Sequence, residues 1–506
     1  MLRYLVQTPP SLHLLLLGLI LVLRLPILWG DLTIDSEAQY LLTAIQAWEG
    51  GTLYEDAWFA GPPVTIWIYE GFYALFGRGA IWGLRVFTIL WIYLIAVYFN
   101  GMLSKAKITK RFEGLPAALA VGLMCLPGYE QELSAELLAL LPILWAFDGL
   151  LQSTEGRGAA IERLYRSGLS MGLALLISYK VLFLLGALLL AYLILRTFRV
   201  DEFSSMIGGV IVAVILTLGI LYARGNLQEF YETGFLYYWQ RIGLAGTKFY
   251  GLQSFQTLMR ISFSWGAILL LTGIGFFHYR ARFFSYVARI RSLETVMANW
   301  LIFGLIMLIS KYRRIDYADL MLLVPPIAFY AARPLSLKWP RILRWAWLIT
   351  AVAGVIFSYS RVWLPSLPID ASAQGNQSMP WEPQNSPPPH SLVQLAGEGP
   401  FWIMDHQPKW YQDLDTYCPY PFVDYRMAYH RFTSLPGHHT EDKVSAFHDR
   451  EVFSAFGENP PQVVIDPHGD FPKLVQRFPT LFGGYKLSQG HKIHVYLHPS
   501  KLTSNP

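Results

Sequence analysis

Three short charged stretches stand out in an otherwise apolar chain. In Thr33-Ile-Asp35-Ser-Glu37-Ala-Gln-Tyr40 two carboxylates lie two residues apart, and Ala38, Leu41, Leu42, Ile45 and Trp48 follow at helical spacing. That pattern predicts an amphipathic helix lying on a membrane surface, with its carboxylates at the N-terminal end. Two readings fit it. Asp35 caps the helix while Glu37 complements its dipole, or one carboxylate serves a membrane-bound substrate as general base or metal ligand. Glu130-Gln-Glu132-Leu-Ser-Ala-Glu136 gathers three carboxylates at a turn between two short apolar runs, which suits a polar cavity better than lipid. Glu136 is the deepest and most needs a partner. Arg85, just inside another apolar run, is one candidate, and a substrate contact is the other. Lys311-Tyr-Arg313-Arg314-Ile-Asp-Tyr317 supplies three cations suited to an anionic headgroup such as a lipid phosphate. The alternative is that they pair with Asp316 and Asp319 or snorkel. Lys180, isolated in an apolar run, could join the cationic set.

These residues must be positioned by membrane spans. The chain has 506 residues, of which 54% are hydrophobic and only 15% charged, where a soluble domain has about a quarter charged. With apolar runs of about 20 residues recurring along the chain, this excludes a soluble enzyme and a disordered protein. Two cysteines, Cys125 and Cys418, exclude a disulfide framework. A net charge of +5 without a block of like charge gives nucleic-acid binding little support.

The distribution of Lys and Arg orients the spans. The first, Leu12 to Trp29, has no small-residue cleavage site after it and reads as a retained anchor. The next is Ile81 to Leu103, ending in basic residues 105–111. Between them Val64 to Phe76 is short and carries Glu70. If it spanned, the basic loop would fall outside the cytoplasm, against the positive-inside rule. It therefore packs on the outer surface, within a large first outer loop, 30–80. Residues 115–151 form two short spans. Residues 168–196, flanked by Arg166 on one side and by Arg196 and Arg199 on the other, favour a broken hairpin with Lys180 at its outer tip over one tilted span. Ser205–Ala223, Met259–Phe277, Thr295–Ser310, Asp319–Ala332 and Trp345–Ser360 complete about 11 transmembrane helices. The Lys311–Tyr317 cations and the Glu130–Glu136 carboxylates then fall on one outer face.

The membrane domain covers 1–363. A Pro-rich linker, 364–395, leads to an extracytoplasmic domain, 396–506. There Pro400–Met404, Gln462–Asp466 and Ile493–Leu497 predict strands, while Lys443–Phe456 and Asp470–Phe478 predict helices, giving a small α/β domain. Ten of the 12 histidines lie beyond residue 363, in the linker and this domain, but none has partners at metal-ligand spacing, so they read as surface residues. The domain reads as a cover over the outer site.

The motifs together resemble the GT-C glycosyltransferases, in the polytopic group that includes protein O-mannosyltransferases and aminoarabinose transferases. The resemblance rests on Asp35-Ser-Glu37, Tyr40, Gly51-Thr-Leu-Tyr54 with Asp56, Gly61-Pro62-Pro63, Leu75-Phe-Gly77, Arg85 and Glu136. Gly168-x-x-x-Gly172 leading to Lys180, Tyr317 before Pro325, Pro460-Pro-Gln-Val-Val-Ile465 and Tyr485 add to it. Ala60 and Gly61 stand where the aminoarabinose-transferase branch has an acidic residue and a lysine. Ser36 falls where the family's paired Asp would be. The resemblance implies an α-helical polytopic GT-C-like membrane protein in a bacterial inner membrane. It also implies a polyprenyl-phosphate-linked sugar donor, inverting transfer and an acceptor that is protein, lipid or polysaccharide.

On that basis Asp35 or Glu37 is the base. Lys311, Arg313, Arg314, Tyr317 and Lys180 bind the donor phosphate, and Tyr40, Tyr54, Asp56, Arg85, Glu132 and Glu136 line the cavity. A divalent metal ion could bridge carboxylate and phosphate, though no spacing demands one. Competing readings are a lipid-linked saccharide flippase and a GT-C-like scaffold without catalysis.

Overall fold

The computed structural model describes residues 8–29, 35–105, 114–125, 133–154, 160–236, 268–277, 288–310, 317–336, 401–403, 460–466, 471–477, 479–488 and 494–502, with a few isolated positions. The membrane part is helical: α1 Pro10–Trp29, α2 Asp35–Trp48, α3 Pro63–Phe76, α4 Ala80–Lys105, α5 Leu115–Met124, α6 Ala135–Ser153, α7 Ala160–Ile177, α8 Leu182–Leu195 and α9 Val200–Ala223. It continues with α10 Ile268–Phe277, α11 Ala288–Ser310, α12 Tyr317–Met321 and α13 Val324–Ser336. Among the described residues, 4 helices are long and apolar enough to cross a membrane, within α4, α6, α9 and α11. Shorter apolar helices lie at α1, α5, α8 and α10. The expected span at 345–360 and the linker 364–395 fall outside the described residues, apart from isolated positions.

Helix α3 does not cross. It begins at Pro63, where the missing N–H costs nothing, and ends at Gly77 with φ 52. Its 14 residues reach about 21 Å, short of a hydrocarbon core of about 30 Å. On one face, Thr65 Oγ1 donates to the Ile177 carbonyl at 3.0 Å and Tyr69 Oη to the Leu133 carbonyl at 2.8 Å. Ile177 ends α7 and Leu133 precedes α6, so α3 lies across helix ends, as the charge distribution predicts.

The hairpin expected at Lys180 is also present. α7 stops at Ile177, a 3-10 turn covers Tyr179–Val181, and α8 runs back. Arg163, near the start of α7, donates to the Gln152 carbonyl at 2.5 Å, and Arg196, capping the end of α8, donates to that of Ser153 at 2.5 Å. Both carbonyls belong to the last turn of α6, so the two arms begin and end at the same side.

The Gly168-x-x-x-Gly172 motif has a packing role. A Cβ on Gly168 would lie 1.8 Å from the Met206 carbonyl oxygen, and one on Gly209 2.2 Å from that of Tyr165. The backbones of α7 and α9 thus touch, as small residues permit between helices in lipid. Gly168→Ala is expected to lower stability by about 1–3 kcal/mol or more through forced separation. Gly208→Ala, where nothing lies within 4 Å, should be neutral or slightly stabilising. Thermal unfolding of the two variants in detergent checks this. Equal midpoints would remove the close-packing account.

The C-terminal part forms a sheet of β1 Phe401–Ile403, β2 Val463–Asp466, β3 Lys486–Ser488 and β4 His494–Leu497, in the order β1-β2-β4-β3. β1 and β2 are parallel, and the other pairs are antiparallel. The strands expected at 400–404, 462–466 and 493–497 are β1, β2 and β4. Strand β3 is short and mostly exposed, which leaves no apolar run to reveal it. The helix expected at 470–478 is α14, Phe471–Arg477, whose first N–H donates to buried Asp466 Oδ2 at 2.7 Å. Most of the helix expected at 443–456 lies outside the described residues.

Candidate functional site

At the end of the bundle covered by α2 and α3, charged side chains from several elements converge. The clearest group is an ion triad. Lys180 Nζ, in the hairpin turn, lies 2.5 Å from Glu136 Oε1 and 2.6 Å from Asp319 Oδ1. Each position follows from local chemistry. Ser134 caps α6 by accepting from the Leu137 N–H at 3.1 Å, which places Glu136 in the first turn. The 3-10 turn projects Lys180 between α7 and α8, and Asp319 sits in the first turn of α12. Asp319 is fully buried and Glu136 nearly so. Ser178 Oγ adds a long donor contact to Glu136 at 3.4 Å. The sequence singled out Lys180 as an isolated cation and offered Arg85 as the partner of Glu136. In the structure Lys180 fills that place.

Arg85 belongs to a second group, with Glu37. Glu37 of α2 is 2% exposed, and Arg85 and Arg24 are 4% and 0% exposed. Burial pushes the Glu37 carboxyl above its ordinary range, while Arg85, then Arg24, then the backbone N–H of Leu133 pull the other way. Arg24 on α1 also bonds the Cys125 thiol at the end of α5. Sequence reasoning passed over Arg24. The signal was there, because a lone arginine inside an apolar run must find a polar partner. It missed the link from Lys180 to Asp319 for a different reason: the partners are far apart in sequence.

Glu70 of α3 pairs with Arg224 just beyond α9, at 3.2 Å, and the Arg224 guanidinium lies 5.4 Å from the Trp67 ring. Burial raises the Glu70 carboxyl, with Arg224 opposing. Beside this pair lies a largely apolar cavity of about 590 Å³ lined by Leu218, Tyr222, Leu227, Phe230 and Tyr231 among others.

The aromatic residues of the first loop frame the same end. Tyr40 packs edge-on to Phe59 and Tyr69, with centroids 5.6 and 5.5 Å apart. Tyr54 takes φ 79 and donates from Oη to the Gly61 carbonyl at 2.8 Å. Its ring meets Phe230, which lines the apolar cavity, at 5.3 Å. Asp56 is exposed and turned back on its own loop, where Oδ2 accepts from the Thr52 N–H at 2.7 Å and the Thr52 hydroxyl at 3.0 Å. Its described bonds thus stabilise a turn. Lys311, Arg313, Arg314 and Glu132 lie outside the described residues, as do the side chains of Asp35 and Tyr317. Among the described residues no group of three or more His, Cys, Asp or Glu side chains is placed to hold a metal ion.

The opposite end of the bundle carries a different set of charges: Arg196 with Glu202 at 2.9 Å, Arg166 with Glu162, and Arg333 with Glu294.

No protein-family profile matches the chain, and no curated protein does. Solved structures do. ArnT from Cupriavidus metallidurans bound to undecaprenyl phosphate has a TM-score of 0.55 and 14% identity, covering 97% of this chain and 98% of that one. The apo form of the same protein gives 0.54 and 13%, over 97% and 98%. The oligosaccharyltransferase AglB from Archaeoglobus fulgidus, with an inhibitory peptide and a dolichol-phosphate, gives 0.47 and 13%, over 98% and 74%. At such identities the likeness to ArnT speaks for the fold, and it runs the length of the chain. This integral membrane protein has the GT-C fold that its motifs resemble.

Proposed function

We propose that the protein is an integral membrane glycosyltransferase that moves a sugar from a polyprenyl-phosphate-linked donor to an acceptor at the α2/α3 end of the bundle. One observation carries the reading: carboxylates and cations from the first loop, the hairpin turn and α12 gather at a single end, beside an apolar cavity. A lipid-linked phosphosugar needs both, an apolar groove for its chain and cations for its phosphate. The neighbour in fold that carries undecaprenyl phosphate supports the same ligand class. The arginine-rich opposite end and basic residues 105–111 of the sequence suit the cytoplasmic side, and this supports reading the site as an outer one. A flippase would favour charge along a path through the bilayer. The described ion pairs instead sit at the two ends.

In the mechanism, Asp35 accepts the proton of the acceptor hydroxyl as its oxygen attacks the anomeric carbon. The bond from that carbon to the phosphate oxygen breaks with inversion. Lys311, Arg313, Arg314 and Tyr317 stabilise the departing polyprenyl phosphate. Asp35 takes the role of base because Glu37 is buried among arginines, where it fixes the start of α2.

The test is mass spectrometry of lipid extracted from the purified protein, followed by incubation in nanodiscs with labelled undecaprenyl-phosphate sugars. Undecaprenyl phosphate or its glycoside in the extract, and release of free undecaprenyl phosphate on addition of acceptor-containing envelope, is the expected result. Movement of intact lipid-linked sugar across vesicles without cleavage would replace this reading with transport.

A further inference from the structure

The apolar cavity and the first outer loop meet at one pair of rings. Phe230 lines the cavity and opens a π-helix, Phe230–Leu236, a form that recurs at functional sites. Its ring also packs edge-on against Tyr54, in the loop between α2 and α3, with centroids 5.3 Å apart. Among the described residues, Tyr54 is the one non-glycine residue with a positive φ. A bulky aromatic residue keeps φ 79 only where its surroundings hold it there. Three contacts do so. The Tyr54 N–H donates to the Ala57 carbonyl at 2.8 Å, Oη donates to the Gly61 carbonyl at 2.8 Å, and the ring rests on Phe230. The first two stay within the loop, and the third joins it to the cavity wall. The fit leaves no slack, because a Cβ on Gly234 would lie 2.7 Å from Tyr54 Cε1 and 2.8 Å from Phe230 Cδ2. The loop leads through Pro62 into α3, whose Glu70 pairs with Arg224 beside the same cavity.

We propose that Tyr54 is a positioning residue that links the cavity to the first outer loop: a chain seated against Phe230 holds the Tyr54 ring, and with it the turn at 51–61, in place. This rests on reading the cavity as the seat of the donor's polyprenyl chain. Without the chain, Phe230 lacks packing partners on its cavity side, and the brace on the strained Tyr54 backbone is weaker. With it, binding energy from a remote part of the donor orders the loop that joins α2 to α3.

The full-length protein in nanodiscs is loaded with labelled undecaprenol, the chain without phosphate, and hydrogen exchange is followed at the Tyr54 and Ala57 amides. Loading is expected to slow exchange there about five-fold or more in the wild type. Tyr54→Leu, which lacks the ring, should show less than a two-fold change at equal retained label. Tyr54→Phe, which keeps the ring, should retain most of the protection. A merely structural Tyr54 would alter exchange equally with and without the chain and leave the ratio unmoved. Thermal unfolding verifies the fold, and if Tyr54→Leu does not fold, Phe230→Leu removes the same contact from the other side. No protection in the wild type on loading, or the wild-type ratio in the variant without the ring contact, overturns the link. So does a loss in Tyr54→Phe equal to that in Tyr54→Leu.

Leu218→Trp fills the cavity from α9 and separates the two levels. If it retains as much undecaprenol as the wild type, or if the wild type retains none, the cavity is not the chain's seat and this proposal falls with that reading. If it loses undecaprenol while the wild-type loop stays unprotected on loading, the donor-chain reading stands and only the positioning role fails.

Discussion

Asp35→Asn should reduce sugar transfer by about 10²–10⁴-fold, the usual contribution of a positioned general base. Affinity for undecaprenyl phosphate should stay within two-fold of wild type, in the order of ~0.4 kcal/mol. The reason is that asparagine keeps the shape and the helix-capping oxygen of aspartate but cannot accept the acceptor's proton. The bland alternative, in which Asp35 only caps α2, makes the opposite prediction: asparagine is as good a cap, so transfer would be nearly unchanged. Glu37→Gln is the companion measurement. Glu37 is buried with Arg85 and Arg24, and burial already disfavours its charge, so a neutral amide of the same shape should fold. Its loss of activity should be at least ten-fold smaller than that of Asp35→Asn. Single-turnover transfer with saturating donor distinguishes these outcomes, and a Glu37→Gln enzyme that is the more damaged of the two would reassign the base.

Lys180→Met is expected to be the most destabilising single substitution at this end of the bundle. It removes the one ammonium between two carboxylates whose side chains are 6% and 0% exposed. Breaking a buried pair from one side costs about 3–5 kcal/mol, because both carboxylates stay buried after losing the ammonium they share. Removing all three charges together, as Lys180→Met with Glu136→Gln and Asp319→Asn, should recover a large part of that loss, since the two buried carboxylates are then neutral as well. Unfolding midpoints for the single and triple variants test this. A single variant as stable as wild type would mean that the triad is solvated and contributes little. The same measurement on Arg166→Met, whose pair with Glu162 is exposed, should show almost no effect.

Much of this was legible from residue order. The amphipathic run after Asp35, the shortness of 64–76 and the arginines on both flanks of 168–196 predicted α2, an α3 that does not span, and the hairpin at Lys180. Each is a local property: helix period, run length and charge at the ends of apolar segments. Strands β1, β2 and β4 were equally plain, as short runs of buried β-formers. The exposed β3 was not, because it exists only through its pairing with β4.

The sequence by itself determined the membrane class, the main helices and the motifs that resemble those of GT-C glycosyltransferases. All of these depend on composition and on spacing within a few turns. Only the tertiary structure decided which charge meets which. Glu136 goes to Lys180, which also holds Asp319, rather than to Arg85; Arg85 and Arg24 flank Glu37, Arg224 reaches Glu70, and Asp56 closes its own turn. The physical reason is that a hydrogen-bonded ion pair needs its nitrogen and oxygen within about 3 Å. Distances on that scale are set by how helices cross, and for α7 and α9 that crossing is set by glycines whose backbones touch.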